Sequence, residues 1–390
     1  MNSYQRPSGS LISYMSNQVK SYGGINLAQG IPGFQPPREL LRYLSETALE
    51  PVHQYAPGNG NEALLELLLE KYRALHSFSK DNLLITNGAT EAVSLLYTYF
   101  HYILQGSFSV MGFEPAYETY LKLPDIFRDR FIAFSYEQDG TIDFDRLRTV
   151  CSRQSVRIIF VNTPGNPYGR IWDQQEIEAL VNISRELDIY LVLDSVYQEL
   201  YFDREPYHPV RSFNDHMFYV NSFSKIFSIT GWRIGYLMAP ARHMEGIRSV
   251  HDYTGLSVPS VLQEALARYI KACNWGRSYI EDLRRQLSGN FQLMKGGLEE
   301  QGFYVPEIRG GFFVWARLPE GHVDGFHFAV DLYEQQKVAV IPGEHFSQRH
   351  PHYIRFNVAR EEEEVQEGLK RIGWFFRSGS QPVKDSSRSG

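Results

Sequence analysis

Three apolar runs constrain the fold of this chain most: Val156-Arg-Ile-Ile-Phe-Val161, Ile189-Tyr-Leu-Val-Leu193 and Met217-Phe-Tyr-Val-Asn221. Each is short and nearly continuous, the pattern of a strand buried on both faces. Between the first two, Asp173-x-x-Glu176 reads as a capping box opening a helix to about Leu187. Strands separated by helices point to an α/β protein with a largely parallel sheet. Each run also leads into residues able to do chemistry. Asn162-Thr-Pro-Gly-Asn-Pro-Tyr-Gly169 follows the first, Asp194-Ser-Val-Tyr197 the second, and Ser222-Phe-Ser-Lys225 the third.

The segment from Asn221 to Tyr236 is the centre of the chemistry. Lys225 stands among the hydroxyls of Ser222 and Ser224, with a glycine at 231, Arg233, and a further apolar run from Ile234 to Met238. A cation nearby lowers a lysine pKa and frees its amine for Schiff-base formation. The hydroxyls and Arg233 suit a phosphate, which takes several donors and a positive charge. Asp194 ends a buried strand, a costly position unless a charged partner meets it. Asn82-Leu-Leu-Ile-Thr-Asn-Gly-Ala-Thr-Glu-Ala-Val-Ser-Leu-Leu96 reads as strand, glycine turn and helix. The N–H groups at that helix start form an anion site.

The spacing Ser-Phe-Ser-Lys-(seven residues)-Arg, ending in Gly-Tyr, resembles the cofactor-lysine signature of the class I/II aminotransferases, which use pyridoxal 5'-phosphate (PLP) and have fold type I. The likeness continues in family order from about residue 25 to 376. It implies a large domain with a mostly parallel seven-stranded sheet between helices, plus a smaller α+β domain. Lys225 matches the residue that carries PLP and moves the substrate's α-proton. Gly88, Ala89 and Thr90, with Ser222, Ser224 and Arg233, match the phosphate site. Tyr117, after the turn at Glu114-Pro-Ala, matches the aromatic stacked on the pyridine ring. Asp194 matches the aspartate paired with the ring nitrogen, and that pair keeps the ring electron-withdrawing. Asn166 and Tyr197 match the donors to the ring oxygen.

On the substrate side, Gly30 and Ile31 match an N-terminal loop, and Asn166 is shared with the cofactor. Arg355, in His352-Tyr-Ile-Arg-Phe-Asn-Val-Ala359, matches the clamp on the α-carboxylate, for which a planar fork is suited. Tyr55, in Gln54-Tyr-Ala-Pro-Gly-Asn-Gly60, matches a tyrosine that reaches a partner subunit's phosphate, which implies a homodimer. By itself it also reads as a surface tyrosine beside a turn. Two departures stand out: Thr163 displaces the usual first proline, and Ser195 replaces the commoner glutamate.

Length and composition bound the rest. The 390 residues suit two domains at roughly 100–200 residues each. The expected division is an N-terminal arm to residue 35 that joins the small domain, a large PLP-binding domain over 36–275, a small C-terminal domain over 276–377, and a flexible tail over 378–390. A net charge of -6 argues against nucleic acid or an anionic membrane as main partner. Two cysteines give no disulfide framework, and no apolar run is long enough to span a bilayer, so the cytoplasm is the expected compartment. No metal is expected.

The resemblance implies transfer of an amino group from an amino acid to a 2-oxo acid. Relatives preferring dicarboxylates bring an extra arginine from the partner subunit, ahead of the helix that follows the lysine segment. Here that region reads Thr254-Gly-Leu-Ser-Val-Pro-Ser260. A neutral side chain is therefore expected, aromatic or methionine- or glutamine-like, as in the kynurenine, methionine and aromatic branch. Two alternatives stay open. One is another PLP reaction on the same scaffold: a β-lyase, a cyclising synthase or a decarboxylase. The other is a non-catalytic regulatory domain, but those carry a DNA-binding domain ahead of the fold, and here the fold begins at about residue 25.

Overall fold

The computed structural model describes residues 6–7, 9–137, 139–321 and 324–379. It contains two compact units. The first runs from the described N-terminus to Gly30, resumes at Leu287–Glu307, and again from Phe312 to the end of the described chain. The second comprises Ile31–Gln286 with Ile308–Gly311.

The first unit opens with helix α1 (Leu11–Tyr22) and the two-residue strand β1 (Ile25–Asn26). The second unit then begins with α2 (Arg38–Thr47) and α3 (Glu62–Tyr72). Its core is built from β2 (Leu83–Thr86), α4 (Gly88–Leu104), β3 (Ser109–Glu114), α5 (Glu118–Phe127), β4 (Arg130–Ser135) and α6 (Phe144–Arg153). It continues through β5 (Val156–Asn162), α7 (Gln174–Leu187), β6 (Tyr190–Asp194), β7 (Met217–Ser222), the one-turn helix α8 (Phe223–Ile226), β8 (Gly235–Met238), α9 (Ala241–Thr254) and α10 (Ser260–Ala272). The expected capping box opens α7: Asp173 accepts from the Glu176 amide at 2.9 Å, and Glu176 from the Asp173 amide at 3.0 Å.

Seven strands form one sheet in the order β2-β8-β7-β6-β5-β3-β4. All neighbours are parallel except at β8, which runs antiparallel to both β7 and β2. Six strands therefore share one direction, and their carboxyl ends share one edge of the sheet. Burial explains the continuous apolar runs. Ile158, Phe160, Val192, Phe218 and Val220 join Leu95, Leu96, Tyr99 and Phe100 of α4 in one apolar cluster. The alternate residues Ile159, Val161, Leu191, Leu193 and Tyr219 are equally buried, so both faces are covered.

After α11 (Arg277–Glu300), the first unit contributes β9 (Phe313–Arg317), α12 (Gly325–Gln336), β10 (Val338–Ala339), β11 (Ile341–Pro342), β12 (Tyr353–Asn357) and α13 (Glu362–Gly379). β12 is the middle of the antiparallel sheet β11-β12-β9, while β1 pairs with β10 in parallel. Strand β9 does not alternate between buried and exposed residues: Phe313 to Ala316 are all buried. Of the tail expected from 378, Ser378 and Gly379 belong to α13, and 380–390 lie outside the described residues.

Candidate active site

In an open α/β sheet, ligands bind beyond the carboxyl ends of the strands. The candidate residues of the second unit collect there because of the strand directions. Asp194 ends β6, opposite Asn162 of β5 and Val220 of β7. Lys225, half-buried, follows β7 on the single turn α8. Gly88 follows β2, and Gly235, two residues past Arg233, begins β8 opposite Thr86 and Ser222. The antiparallel strand is what brings Arg233 to this edge, since its amino end lies where its neighbours' carboxyl ends lie.

Asp194 is buried, with 5% exposure. Its Oδ2 accepts from the Tyr120 hydroxyl at 2.6 Å and its Oδ1 from the Val196 amide at 3.2 Å. Burial pushes its carboxyl above the usual range, against the pull of Tyr120, Val196 and the charge of Lys225. Tyr120 belongs to none of the sequence motifs. It stacks on Phe160 at 5.0 Å between centroids and meets Tyr117 edge-on at 5.6 Å. Its signal is the spacing: Tyr117 and Tyr120 flank the first turn of α5, three residues apart.

Asn166 is buried and lies in the loop after β5. The loop is tied down: the Asn166 amide donates to Asn162 Oδ1 at 2.7 Å, and Asn162 Nδ2 donates to the Asp194 carbonyl at 2.9 Å. The peptide bonds before Pro164 and Pro167 are cis, as is that before Pro115. Tyr197, also buried, sits in the turn after β6. Tyr117, Phe160, Asn162 and Asn166 line a common cavity.

The phosphate candidates form a second group on the same edge. Ser222 Oγ lies 3.0 Å from the Ile234 carbonyl and 2.9 Å from Ser224 Oγ, and both serines are buried. Arg233 donates through Nη1 to the Thr230 carbonyl and through Nη2 to the Asn87 carbonyl, each at 3.1 Å. Gly88 has φ +79°, and a Cβ there would come within 2.8 Å of the Arg233 guanidinium carbon. Only glycine leaves room between the helix start and the cation. Ala89 is half-buried and Thr90 exposed. The N-cap residue of α4, Asn87, makes no side-chain cap bond to the helix.

Tyr55 is 83% exposed. It lines an open groove with Asn87 and residues 255–261. In the first unit, Arg355 is fully buried at the centre of β12, opposite Ile341 and Trp315. Its guanidinium lies over the rings of Phe313 at 4.3 Å and Phe346 at 4.8 Å, and Nη2 donates to the Ala28 carbonyl at 2.6 Å. A Cβ at Gly30 would stand 3.1 Å from the Phe313 ring and 4.0 Å from Arg355 Nη1, so Gly30 and Arg355 are neighbours. Ile31 is half-buried and belongs to the second unit.

The model of the family described as aminotransferase class I and II matches residues 22–372. The chain belongs to this family. A probable aspartate aminotransferase of Methanocaldococcus jannaschii is 28% identical over 360 residues, covering 90% of this chain and 93% of its own. The methionine aminotransferase of Escherichia coli is 27% identical over 372 residues, covering 93% and 95%. The solved structure of Thermus thermophilus aspartate aminotransferase with maleate superposes with a TM-score of 0.86 at 25% identity, covering 96% of this chain and all of that one. Class I/II aminotransferases are PLP-dependent enzymes of fold type I, and this aminotransferase has their mostly parallel seven-stranded sheet.

The residues at the sheet edge fit PLP. A buried carboxylate raised in pKa calls for a cation such as a protonated ring nitrogen. A helix start left open by its N-cap residue, two buried hydroxyls and an arginine make a donor set for a phosphate dianion. No helix among the described residues is long and apolar enough to cross a membrane.

Proposed function

We propose that this aminotransferase takes its amino group from an L-amino acid with a neutral side chain, aromatic or methionine- or glutamine-like, and passes it to a 2-oxo acid. The second unit is then the cofactor-binding domain and the first the smaller domain. PLP, when bound, supplies an electron sink that stabilises negative charge at the substrate's α-carbon. Lys225 would hold the cofactor through its amine and, when that amine is free, would take the substrate's α-proton and return it. Asp194 keeps a proton on the ring nitrogen. Asn166 and Tyr197 would bind the ring oxygen, and Tyr117 would pack on the ring. Gly88, Ala89, Thr90, Ser222, Ser224 and Arg233 hold the phosphate, with Tyr55 of a second copy in a homodimer. Arg355, with Gly30, Ile31 and Asn166, holds the α-carboxylate end of the substrate. The cytoplasm is the compartment this reading carries, in keeping with two free thiols, Cys151 and Cys273.

The observation that carries the neutral side chain is the commitment of the arginines on either side of residues 254–260 in the sequence. Arg248 donates to the Lys80 carbonyl at 2.7 Å and the Leu83 carbonyl at 3.2 Å. Arg268 holds Glu50 bidentately at 2.5 and 2.6 Å and Glu264 at 2.8 Å. Residues 254–260 between them contain no arginine. A distal carboxylate buried without a cation costs several kcal/mol. The exposed rim of the groove, with Tyr55 and Leu256 at 83% and 47% exposure, supports a homodimer there.

Single amino acids offered to the PLP-loaded enzyme without an acceptor will therefore divide. Methionine, glutamine or aromatic amino acids bleach the visible PLP band in one half-turnover, and aspartate does so at least about tenfold less efficiently. A preference for aspartate would overturn the substrate assignment. Release of free ammonia together with the 2-oxo acid would replace transamination by a β-lyase reaction, and release of carbon dioxide with an amine would replace it by a decarboxylase reaction.

A further inference from the structure

Asn is among the strongest N-cap residues because its side-chain oxygen accepts from the helix's free N–H groups. Asn87 occupies the N-cap of the 17-residue helix α4 and makes no such bond. Its side chain instead meets the carboxylate of Glu91 in the first turn. Asn87 Nδ2 donates to Glu91 Oε1 at 3.2 Å, and the Asn87 backbone N–H donates to Glu91 Oε2. The same residue's carbonyl receives Arg233 Nη2 at 3.1 Å. One carboxylate therefore fixes the residue that joins the open helix start to the arginine beside it.

Glu91 is itself held. His251, 1% exposed on α9, places Nε2 3.7 Å from Glu91 Oε2. Burial pushes the Glu91 carboxyl up, and His251 with the two Asn87 donors pulls it further down, to below the usual range. Gly255 closes the remaining side: a Cβ there would collide with Glu91 Oε1 and stand 2.9 Å from His251 Nε2. An acid so near an anion-binding helix start repels the anion unless it is turned away and engaged. Here both oxygens face donors.

We propose that Glu91 is a positioning residue for the PLP phosphate: it turns the Asn87 side chain off the start of α4, leaving those N–H groups to the phosphate, and sets the Asn87 carbonyl that orients Arg233. The inference rests on the phosphate reading of this cradle. It deepens that reading by assigning a role to a carboxylate whose contacts are Asn87 and His251.

The test compares the affinity of the apoenzyme for PLP and for pyridoxal, which lacks the phosphate, by absorbance or fluorescence titration. Glu91→Ala lowers PLP affinity by about tenfold or more, the loss of hydrogen bonds to a charged group, and leaves pyridoxal affinity unchanged. Glu91→Gln, which keeps an oxygen for the Asn87 N–H, stays within about threefold of the parent. Equal loss of both ligands in Glu91→Ala would show a general structural role and overturn the inference, as would unchanged or improved PLP affinity. A Glu91→Gln variant as weak as Glu91→Ala would overturn it too. Arg233→Ala separates the inference from its basis. If that variant alone abolishes the preference for PLP over pyridoxal, the phosphate reading stands and the role of Glu91 falls. If neither Arg233→Ala nor Glu91→Ala changes the preference, the phosphate reading itself falls.

Discussion

Lys225→Ala lowers transamination by about ten-thousand-fold or more, the range lost when a positioned proton-transfer group that is also the nucleophile is removed. The reason lies in its placement. Lys225 rides on α8, a single turn fixed by Ser222 at its N-cap, where the Ser222 side chain accepts from the Ser224 amide at 3.1 Å. No flexible linker separates the amine from the end of β7, so its reach is set by the sheet. Steady-state assay of the variant with saturating PLP measures the effect. An added small amine should restore part of the proton transfer and leave the covalent link absent. A variant that retains full turnover would remove Lys225 from the chemistry.

Asp194→Asn lowers kcat by about 100- to 1,000-fold, the equivalent of about 3–4 kcal/mol for leaving one member of a buried charge pair unmatched. The asparagine keeps the shape and can still accept from Tyr120, but it cannot hold a proton on the ring nitrogen. The stability of the bare protein should move the other way. Burial raises the Asp194 pKa, so the charged form is disfavoured in the folded state. Its contribution is therefore least favourable at pH values above that raised pKa, where the carboxylate must be buried charged. Removing the charge leaves the apo-protein's thermal midpoint near neutral pH unchanged or higher. Loss of activity with a matching fall in apo stability would mean that Asp194 is a packing residue.

The sequence displays the site well where a chemical group ends an apolar run. Asn166 and Lys225 follow β5 and β7, Asp194 ends β6, and parallel strands bring all three strand ends to one edge. Arg233 was legible through its spacing from Lys225, though its arrival at that edge depends on β8 running backwards. Other parts carry no such signal. β4 is an edge strand with mostly half-exposed residues, and its apolar run, Phe131-Ile-Ala-Phe134, is short. β9 is covered on both faces, which erases the alternation of a half-wet strand. Tyr120 reads as one more aromatic among many in a chain that is 14% aromatic, and its hydrogen bond to Asp194 appears only in the fold. Glu91 stands inside the Gly-Ala-Thr-Glu-Ala motif, but its partners, Asn87 and His251, lie on opposite sides of it in sequence, and the more distant is 160 residues away.

The most direct test of this account is to trap the cofactor on the protein. Borohydride reduction of the PLP-loaded enzyme, followed by proteolysis and mass spectrometry, shows which lysine carries it. The expected result is a single reduced adduct on the peptide containing Ser222 to Arg233, at Lys225. An adduct on another lysine, or none from an enzyme that shows the visible PLP band, would contradict it.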